Sequence, residues 1–454
     1  MAERGIFLFR RDLRLQDNTG LNRALRECDH VAAVFVLDPR LIEEHPYFSA
    51  PALRFMLESL EDLERALQRA GGRLYVAQGN PAIVMPGLVR ALKASVVHAN
   101  RDYTPFARER DEALGAACRQ AGVNFFLSED LLLHEPEDLK TSAGGPYKVF
   151  SPFRTAARAR EIPAPEPRPR GGFVTWNLPG ASHVPPPSSA PEGAPPGGRA
   201  RAFALVKRLG GLKDYADRRD LPGEGGTTRL SPHLKFGTVS VREVWHRIRE
   251  ALGQDTRLLD QLLWRDFFHH VAWHFPQVFS EPFLRVYRDL EWDVSASRLA
   301  RWTAGRTGFP IVDAGMRQLA ATGTMHNRAR MIAASFLCKD LHLDWREGEQ
   351  IFARRLVDYD PCVNNGGWQW AASTGCDAQP WFRVFNPWRQ QARFDPDAVY
   401  IRRWVPELSD LSPERIHRFE TEGPPRGAGY PRPMVDHAVE AVRARERYAA
   451  VRGG

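Results

Sequence analysis

Ser49–Asn100 reads SAPALRFMLESLEDLERALQRAGGRLYVAQGNPAIVMPGLVRALKASVVHAN, and two periodicities in it decide the fold of the first part of the chain. Ser49 is a capping residue type and Pro51 comes early in the turn that follows. Leu53, Met56, Leu57, Leu60, Leu63 and Leu67 then line one apolar face, and Gly71-Gly72 supplies the stop. Leu74–Ala77 is a short apolar, β-rich run, Asn80-Pro81 opens a second helix, and Val96–Ala99 is another such run. Working outward, similar runs occur at Ile6–Phe9, Val31–Leu37 and Val123–Leu127. Five short apolar strands buried by intervening helices imply a parallel sheet, so residues 1–130 are predicted to form an α/β domain. No GxGxxG and no GxxxxGK[ST] stands at a strand-to-helix turn, which removes support for an ordinary dinucleotide or P-loop site. A crevice at the strand ends remains, but a fold alone does not name its occupant.

The remainder of the chain changes character twice. Residues 131–200 read as a long connector, and within them 161–200 (EIPAPEPRPRGGFVTWNLPGASHVPPPSSAPEGAPPGGRA) are rich in Pro, Gly, Ala and Ser. Such a segment buries too little apolar surface to offset its ordering entropy, so it should run extended over the surface. After residue 200 helical periodicity takes over, at Leu205–Leu212, Val241–Leu252, Arg257–His274 and His326–Leu343, so 201–454 are predicted to be all helical. A chain of 454 residues exceeds one ordinary core, which agrees with two domains and a connector.

Composition narrows the partners. No run has membrane-spanning length, and the apolar stretch in MAERGIFLFRRDLRLQD is too short for a secretory signal, so a cytoplasmic location without membrane association is expected. The five cysteines (Cys28, Cys118, Cys338, Cys362, Cys376) include no CxxC pair, and His269-His270 are adjacent rather than one helical turn apart, so no metal site is expected. Buried, inert thiols are the ordinary reading. The net charge of +8 permits a polyanionic partner and equally reflects an Arg-rich composition. Of 12 tryptophans, eleven follow residue 200: 245, 264, 273, 292, 302, 345, 368, 370, 381, 388 and 404. Each alone is a core residue type, but eleven together raise the case for stacking on planar ligands or bases.

Three further stretches are informative by their wording. They are GGTTRLSPHLKFGTVS (Gly225–Ser240), DQLLWRDFFHHVAWHFP (Asp260–Pro276), and a nearly continuous third. The third comprises RWTAGRTGFPIVDAGMRQL, TMHNRARMIAASFLCKDLHLDWREGE, DYDPCVNNGGWQWAASTG and FRVFNP. In order and spacing these resemble the FAD-binding domain of the photolyase/cryptochrome family. FLFRRDLRLQDNTGL and YKVFSPF (Tyr147–Phe153) match that family near its start and middle. The resemblance covers the chain apart from the Pro-rich connector and is nearest to class I cyclobutane pyrimidine dimer photolyases. It implies a parallel, Rossmann-like α/β domain, a long connector and an all-helical domain holding FAD. It also implies UV-damaged DNA as partner, action as a monomer, and in a bacterium an association with the nucleoid. The implied activity is light-driven repair of cyclobutane pyrimidine dimers, a carbon–carbon lyase reaction. An electron passes from excited, reduced FAD to a flipped-out lesion. A (6-4) photolyase and a non-repairing, cryptochrome-type blue-light receptor are the alternatives. The cysteine pattern argues against the family's iron–sulfur branch.

The resemblance assigns roles residue by residue. Thr227, Thr228, Arg229, Leu230 and Ser231 form a polar loop entering a helix, an arrangement that suits a pyrophosphate and that, taken alone, is more often an ordinary N-cap. The family match implies FAD phosphates there, with Tyr215 and Arg265 nearby. Gln261, Asn327, Arg330, Asp358, Asp360 and Asn364 complete the implied FAD contacts. Asn364 matches the residue facing flavin N5, where a neutral amide gives up no proton readily, which favours repair over signalling. Trp368, Trp345 and Trp302 match a relay that carries electrons from the surface to the flavin. Trp264 and Trp370 match the aromatic pair around the extruded dimer. Arg219, Arg328 and Arg383, with Gln261, Asn327 and Met331, are the other implied DNA contacts. Members that repair (6-4) lesions carry histidines where Asn327 and Met331 stand, and neither residue can act as the acid which that repair needs; His326 lies one place earlier. Gln261 departs from the Glu usual in dimer-splitting enzymes, predicting a lower repair efficiency. Arg108 and Glu109, in TPFARERDEAL (Thr104–Leu114), fall where an antenna would bind. They leave 8-hydroxydeazaflavin, 5,10-methenyltetrahydrofolate and an empty pocket open.

Overall fold

The computed structural model describes residues 2–42, 45–169, 171–176, 182–187, 189–377 and 382–452. Connector residues 170, 177–181 and 188, and Trp381, lie outside the described residues. The chain divides into two compact units, one of residues 1–190, 195–213 and 228–276, the other of 191–194, 214–227 and 277–454. The boundary near residue 200 marks where strands stop; the compact units are cut elsewhere along the chain.

The first unit contains β1 (Ala2–Phe9), α1 (Thr19–Glu27), β2 (Cys28–Leu37), α2 (Ala50–Arg69), β3 (Leu74–Gln78), α3 (Pro81–Leu92), β4 (Val96–Asn100), α4 (Pro105–Gln120) and β5 (Asn124–Ser128). The strands are parallel in the order β3-β2-β1-β4-β5, so all five expected strands form one sheet. Ile6, Leu8, Val34, Tyr75 and Val97 are among the residues of its core. The side chains of Ser49, Asn80 and Thr104 accept the amide hydrogens of Ala52, Ala82 and Ala107, each with a proline in the first turn. Each such cap contributes about 1 kcal/mol. A sixth strand, β6 (Gly172–Phe173), pairs with β2 at His30 and Val31. Two residues inside a Pro-rich stretch carry no periodicity, so nothing in the sequence announces it. The Tyr75 hydroxyl donates to the Trp176 carbonyl at 2.7 Å, which ties this part of the connector to the sheet.

Three longer helices complete this unit: α5 (Phe150–Arg158), α6 (Val241–Leu252) and α7 (Arg257–His274). The last two have their predicted bounds. The helix expected over Leu205–Leu212 instead runs Arg199–Val206 and gives way to a 3₁₀ turn at Leu209–Gly211, because Gly210-Gly211 weakens helix propagation. Arg242 of α6 pairs with Asp17 (3.1 Å) and Asp130 (3.0 Å), and Arg14 with Asp130 (2.7 Å). These charges are almost wholly buried, so removing one would strand its partners in low dielectric, a loss of about 3–5 kcal/mol.

In the second unit the helices used below are α8 (Ala296–Thr303), α9 (Pro310–Thr322), α10 (Asn327–Lys339), α11 (Trp345–Arg355), α12 (Pro361–Ala372), α13 (Pro387–Phe394) and α14 (His437–Ala450). The pattern at His326–Leu343 becomes α10 with His326 as its cap. Trp302, Phe309, Met316, Phe336, Trp345 and Trp368 belong to one continuous core. All five cysteines are free and buried, and no described helix is long and apolar enough to cross a membrane.

Candidate functional site

Each unit positions a share of the expected residues. In the first unit the Thr228 hydroxyl accepts the Leu230 amide hydrogen (3.2 Å), and Arg229 takes a left-handed conformation (φ 55°). The loop therefore turns tightly before a short helix, Ser231–Lys235. Gln261, Trp264 and Arg265 are three and four residues apart, hence on one face of α7, and all are half-buried. Arg265 donates to the Leu131 carbonyl at 2.8 Å. Trp264 stacks on Phe150 with centroids 3.7 Å apart and planes 12° from parallel, which fixes the indole. Next to Arg265, Asp266 accepts the amide hydrogens of Leu133 (2.8 Å) and His134 (3.2 Å). Burial raises its pKa to about 6.

The second unit gathers the polar set. Arg330 forks onto both carboxylate oxygens of Asp358 (3.0 and 2.9 Å) and donates to the Met325 carbonyl (2.9 Å). Asp360 caps α12 by accepting the amide hydrogens of Cys362 and Val363, so its carboxylate performs a structural task. The Asn364 amide nitrogen donates to the carbonyl (3.3 Å) and carboxylate (3.2 Å) of Glu349. Arg328 pairs with Asp220 at 3.0 Å and lies over Phe394; Arg219 lies over Tyr215 and 3.8 Å from Asp220. Asn327 is exposed, its amide reaching the Met331 sulfur at 3.6 Å. Thr227 and Trp370 are half-buried, Trp370 edge-on to Phe385 at 6.3 Å, and Arg383 is exposed. His326 accepts the Arg328 amide hydrogen on Nδ1, and burial holds its pKa down to about 4.

The tryptophans require a correction. Trp302 and Trp368 meet edge to face at 6.1 Å, with Phe352 packed against both rings. Trp302, Trp345 and Trp368 are 0, 0 and 2% exposed, so none of the three can be the surface end of a relay. Trp302 is anchored in the core by its indole N–H, which donates to the Ala333 carbonyl at 3.1 Å. Trp292 is half-buried, packs on the same core, and precedes Asp293, whose amide donates to the His342 carbonyl (2.8 Å) in a bridge pairing Asp293 with Leu343. That bridge brings Trp292 alongside the segment leading into Trp345. Nothing local in the sequence marks this approach, because it depends on a single backbone bridge between chain-distant segments.

The first unit also carries a groove of about 620 Å³ along α4, β5 and the end of α7, lined by Arg101, Arg108, Glu112, Arg119, Phe125 and Trp273 among others. The guanidinium groups of Arg101 and Arg108 lie 4.2 and 4.4 Å from the centre of the Trp273 ring. Glu109, expected beside Arg108, is exposed and does not line this groove.

Residues 258–450 match the signature described as the FAD binding domain of DNA photolyase, and residues 5–170 match that of DNA photolyase. A parallel α/β sheet in one chain with a helical FAD-binding domain defines a flavoprotein. The chain belongs to the DNA photolyase family. It is 40% identical to the deoxyribodipyrimidine photo-lyase of Halobacterium salinarum, over 99% of each chain. Among solved structures it resembles an archaeal photolyase from Sulfolobus tokodaii containing two FAD molecules, at 39% identity and TM-score 0.90, over 98% of this chain and all of that one. It also resembles a Synechocystis cryptochrome, at 30% identity and TM-score 0.88, over 97 and 98% of the two chains.

The donor set fits FAD. With its nitrogen committed to Glu349, Asn364 leaves its carbonyl oxygen as the accepting end of the amide, the polarity that an N5–H of reduced flavin requires. Arg330, held by Asp358, is a fixed cation of the kind an anionic ring system would need.

Proposed function

We propose that this chain splits cyclobutane pyrimidine dimers in DNA with light, as a monomer in the cytoplasm. The reading is carried by full-length similarity to a deoxyribodipyrimidine photo-lyase together with the amide, rather than a carboxylate, at position 364. When bound and reduced, FAD supplies the photoexcited electron that opens the cyclobutane ring.

This chain's residues do the rest. Trp264, braced by Phe150, and Trp370 offer ring faces and edges to an extruded dinucleotide, at an extrusion cost of a few kcal/mol. Gln261 hydrogen-bonds the lesion's bases from the face of α7 that carries Trp264. Arg219, Arg328 and Arg383 meet phosphates, with Asn327 and Met331 beside the lesion. Tyr215, Thr227 to Ser231 and Arg265 take the FAD phosphates; Arg330, Asp358 and Asn364 take the ring system, and Asp360 keeps α12 in place beneath them. The relay runs from Trp368 through Trp345 to Trp292, with Trp302 as packing. The indole N–H groups of Trp345 and Trp368 are buried without an acceptor among the described residues, so an oxidised ring there keeps its proton and passes the charge onward. The groove at Arg108 and Trp273 is the place for an antenna: Arg101, Arg108 and Arg119 line it together with Asp102, Asp111 and Glu112, and its Phe125 and Trp273 rings suit a planar chromophore such as 8-hydroxydeazaflavin or 5,10-methenyltetrahydrofolate.

Two readings compete. A (6-4) photolyase would need an acid beside the lesion. Asn327 and Met331 provide none, and burial keeps His326 neutral at working pH. A cryptochrome-type receptor shares the fold, and Asn364 stands against it. Blue light on the reduced protein with oligonucleotides carrying either lesion separates all three. Reversal of the cyclobutane dimer alone is expected. Reversal of the (6-4) product alone, or of neither, replaces the proposal with one of the alternatives.

A further inference from the structure

Lys339 ends α10 where a lysine is costly. It is 2% exposed, and burial lowers its pKa to about 8. Its partners among the described residues are a hydroxyl, a carbonyl and a ring. Nζ donates to Ser373 Oγ at 2.7 Å and to the Arg383 carbonyl, and it lies 4.7 Å from the centre of the Phe382 ring. An ammonium buried this way carries a desolvation penalty of several kcal/mol, which an apolar side chain of similar length would avoid. The charge must therefore gain something at this position.

What it holds is specific. Ser373 is the left-handed residue (φ 60°) that closes α12, the helix bearing Asn364, Trp368 and Trp370. Arg383 belongs to residues 382–386, which have no regular secondary structure and lead into α13. Charge-assisted bonds from one nitrogen thus fasten the end of α12 to the Arg383 backbone. Beside them is a hollow of about 20 Å³ lined by Ser335, Lys339, Trp370 and Phe385 among others, room for one water, and the buried Ser335 hydroxyl has no partner among the described residues.

We infer that Lys339 is a positioning residue for damaged-DNA binding, setting where the Trp370 ring and the Arg383 guanidinium stand relative to each other. This rests on the reading of Trp370 and Arg383 as DNA contacts. An arginine on an irregular segment has many accessible positions, and fixing its carbonyl removes the share that comes from backbone motion before DNA arrives.

The test measures the dissociation constant for an oligonucleotide containing one cyclobutane dimer, by fluorescence anisotropy, on the FAD-loaded chain. Lys339→Met is expected to weaken binding about tenfold. FAD content and repair per bound lesion should stay within about twofold of wild type. In an Arg383→Ala background the same substitution should change affinity by less than about twofold, since the two act as one device. Ser373→Gly suits the left-handed position, removes one of the two anchors, and should weaken binding about threefold. That variant carries the test if Lys339→Met fails to bind FAD. Unchanged affinity in the variants, or losses that add fully with Arg383→Ala, would overturn the inference. A wild-type chain that binds the lesion yet never splits it refutes the proposed function instead, and the affinity series still judges Lys339.

Discussion

A methyl group on Gly348 of α11 would stand 2.2 Å from Cη2 of Trp368, and 2.5 Å from Leu337, so these two helices meet only because residue 348 has no side chain. Gly348→Ala must displace the Trp368 ring. Overpacking of this kind typically loses about 1–3 kcal/mol. A lower Tm together with slower photoreduction of bound FAD is expected, and an unchanged rate would show that the ring position does not matter to electron transfer.

The two outer tryptophans give opposite expectations. Trp292→Phe should remove most light-driven reduction of oxidised FAD by an external donor. Trp302→Phe should leave it largely intact and lower the Tm instead, because it deletes a buried hydrogen bond to Ala333, worth about 1 kcal/mol. Transient absorption on both variants decides it, and the reverse ranking would restore Trp302 to the relay.

Much of this was legible from the sequence because local signals and global fold agree. Ser49, Asn80 and Thr104 each cap a helix where a proline follows, and the five strands lie where apolar runs are short and bounded. Illegible features depend on pairings between distant residues. β6 is two residues long, Trp292 reaches the Trp345 segment through one backbone bridge, and Lys339 looks like an ordinary last-turn lysine until Ser373 and Arg383 fold onto it. Asp360, followed by Pro361, carries the same cap-and-proline signal as Asn80-Pro81, whereas the pairing of Arg330 with Asp358 joins residues far apart in the chain and has no local signal.

Asn364→Asp places a second carboxyl beside that of Glu349. Like charges so close disfavour double ionisation, so one carboxyl should keep its proton toward neutral pH. The expected result is lower repair yield and a visible spectrum of bound FAD that changes with pH. A spectrum independent of pH would contradict it.

Gln261→Glu should raise repair yield per absorbed photon, since a carboxyl can share a proton with the dimer and an amide cannot. Comparing the yields of variant and wild type on one saturated substrate checks this. No gain would mean that position 261 does not limit efficiency.

Glu135 gives a pH signature. Burial raises its carboxyl to about 7 even though Tyr103 donates to it and Arg101 lies 3.0 Å away. Between its ordinary value and 7, the folded chain holds a proton that the unfolded chain has released. Its contribution to stability therefore falls as pH rises through that window and stays low above it. The upper bound is on the order of 3 kcal/mol. Melting curves of wild type and Glu135→Gln should show the variant gaining on wild type from acid to alkaline pH; a constant difference would remove the effect.

The most direct measurement is the conversion of one defined cyclobutane thymine dimer by the reduced, FAD-loaded chain, followed by chromatography under blue light and in darkness. Recovery of the two intact thymines is expected under illumination, and no change in the dark. A lesion that stays closed under light, with FAD bound and the DNA saturated with protein, would contradict it.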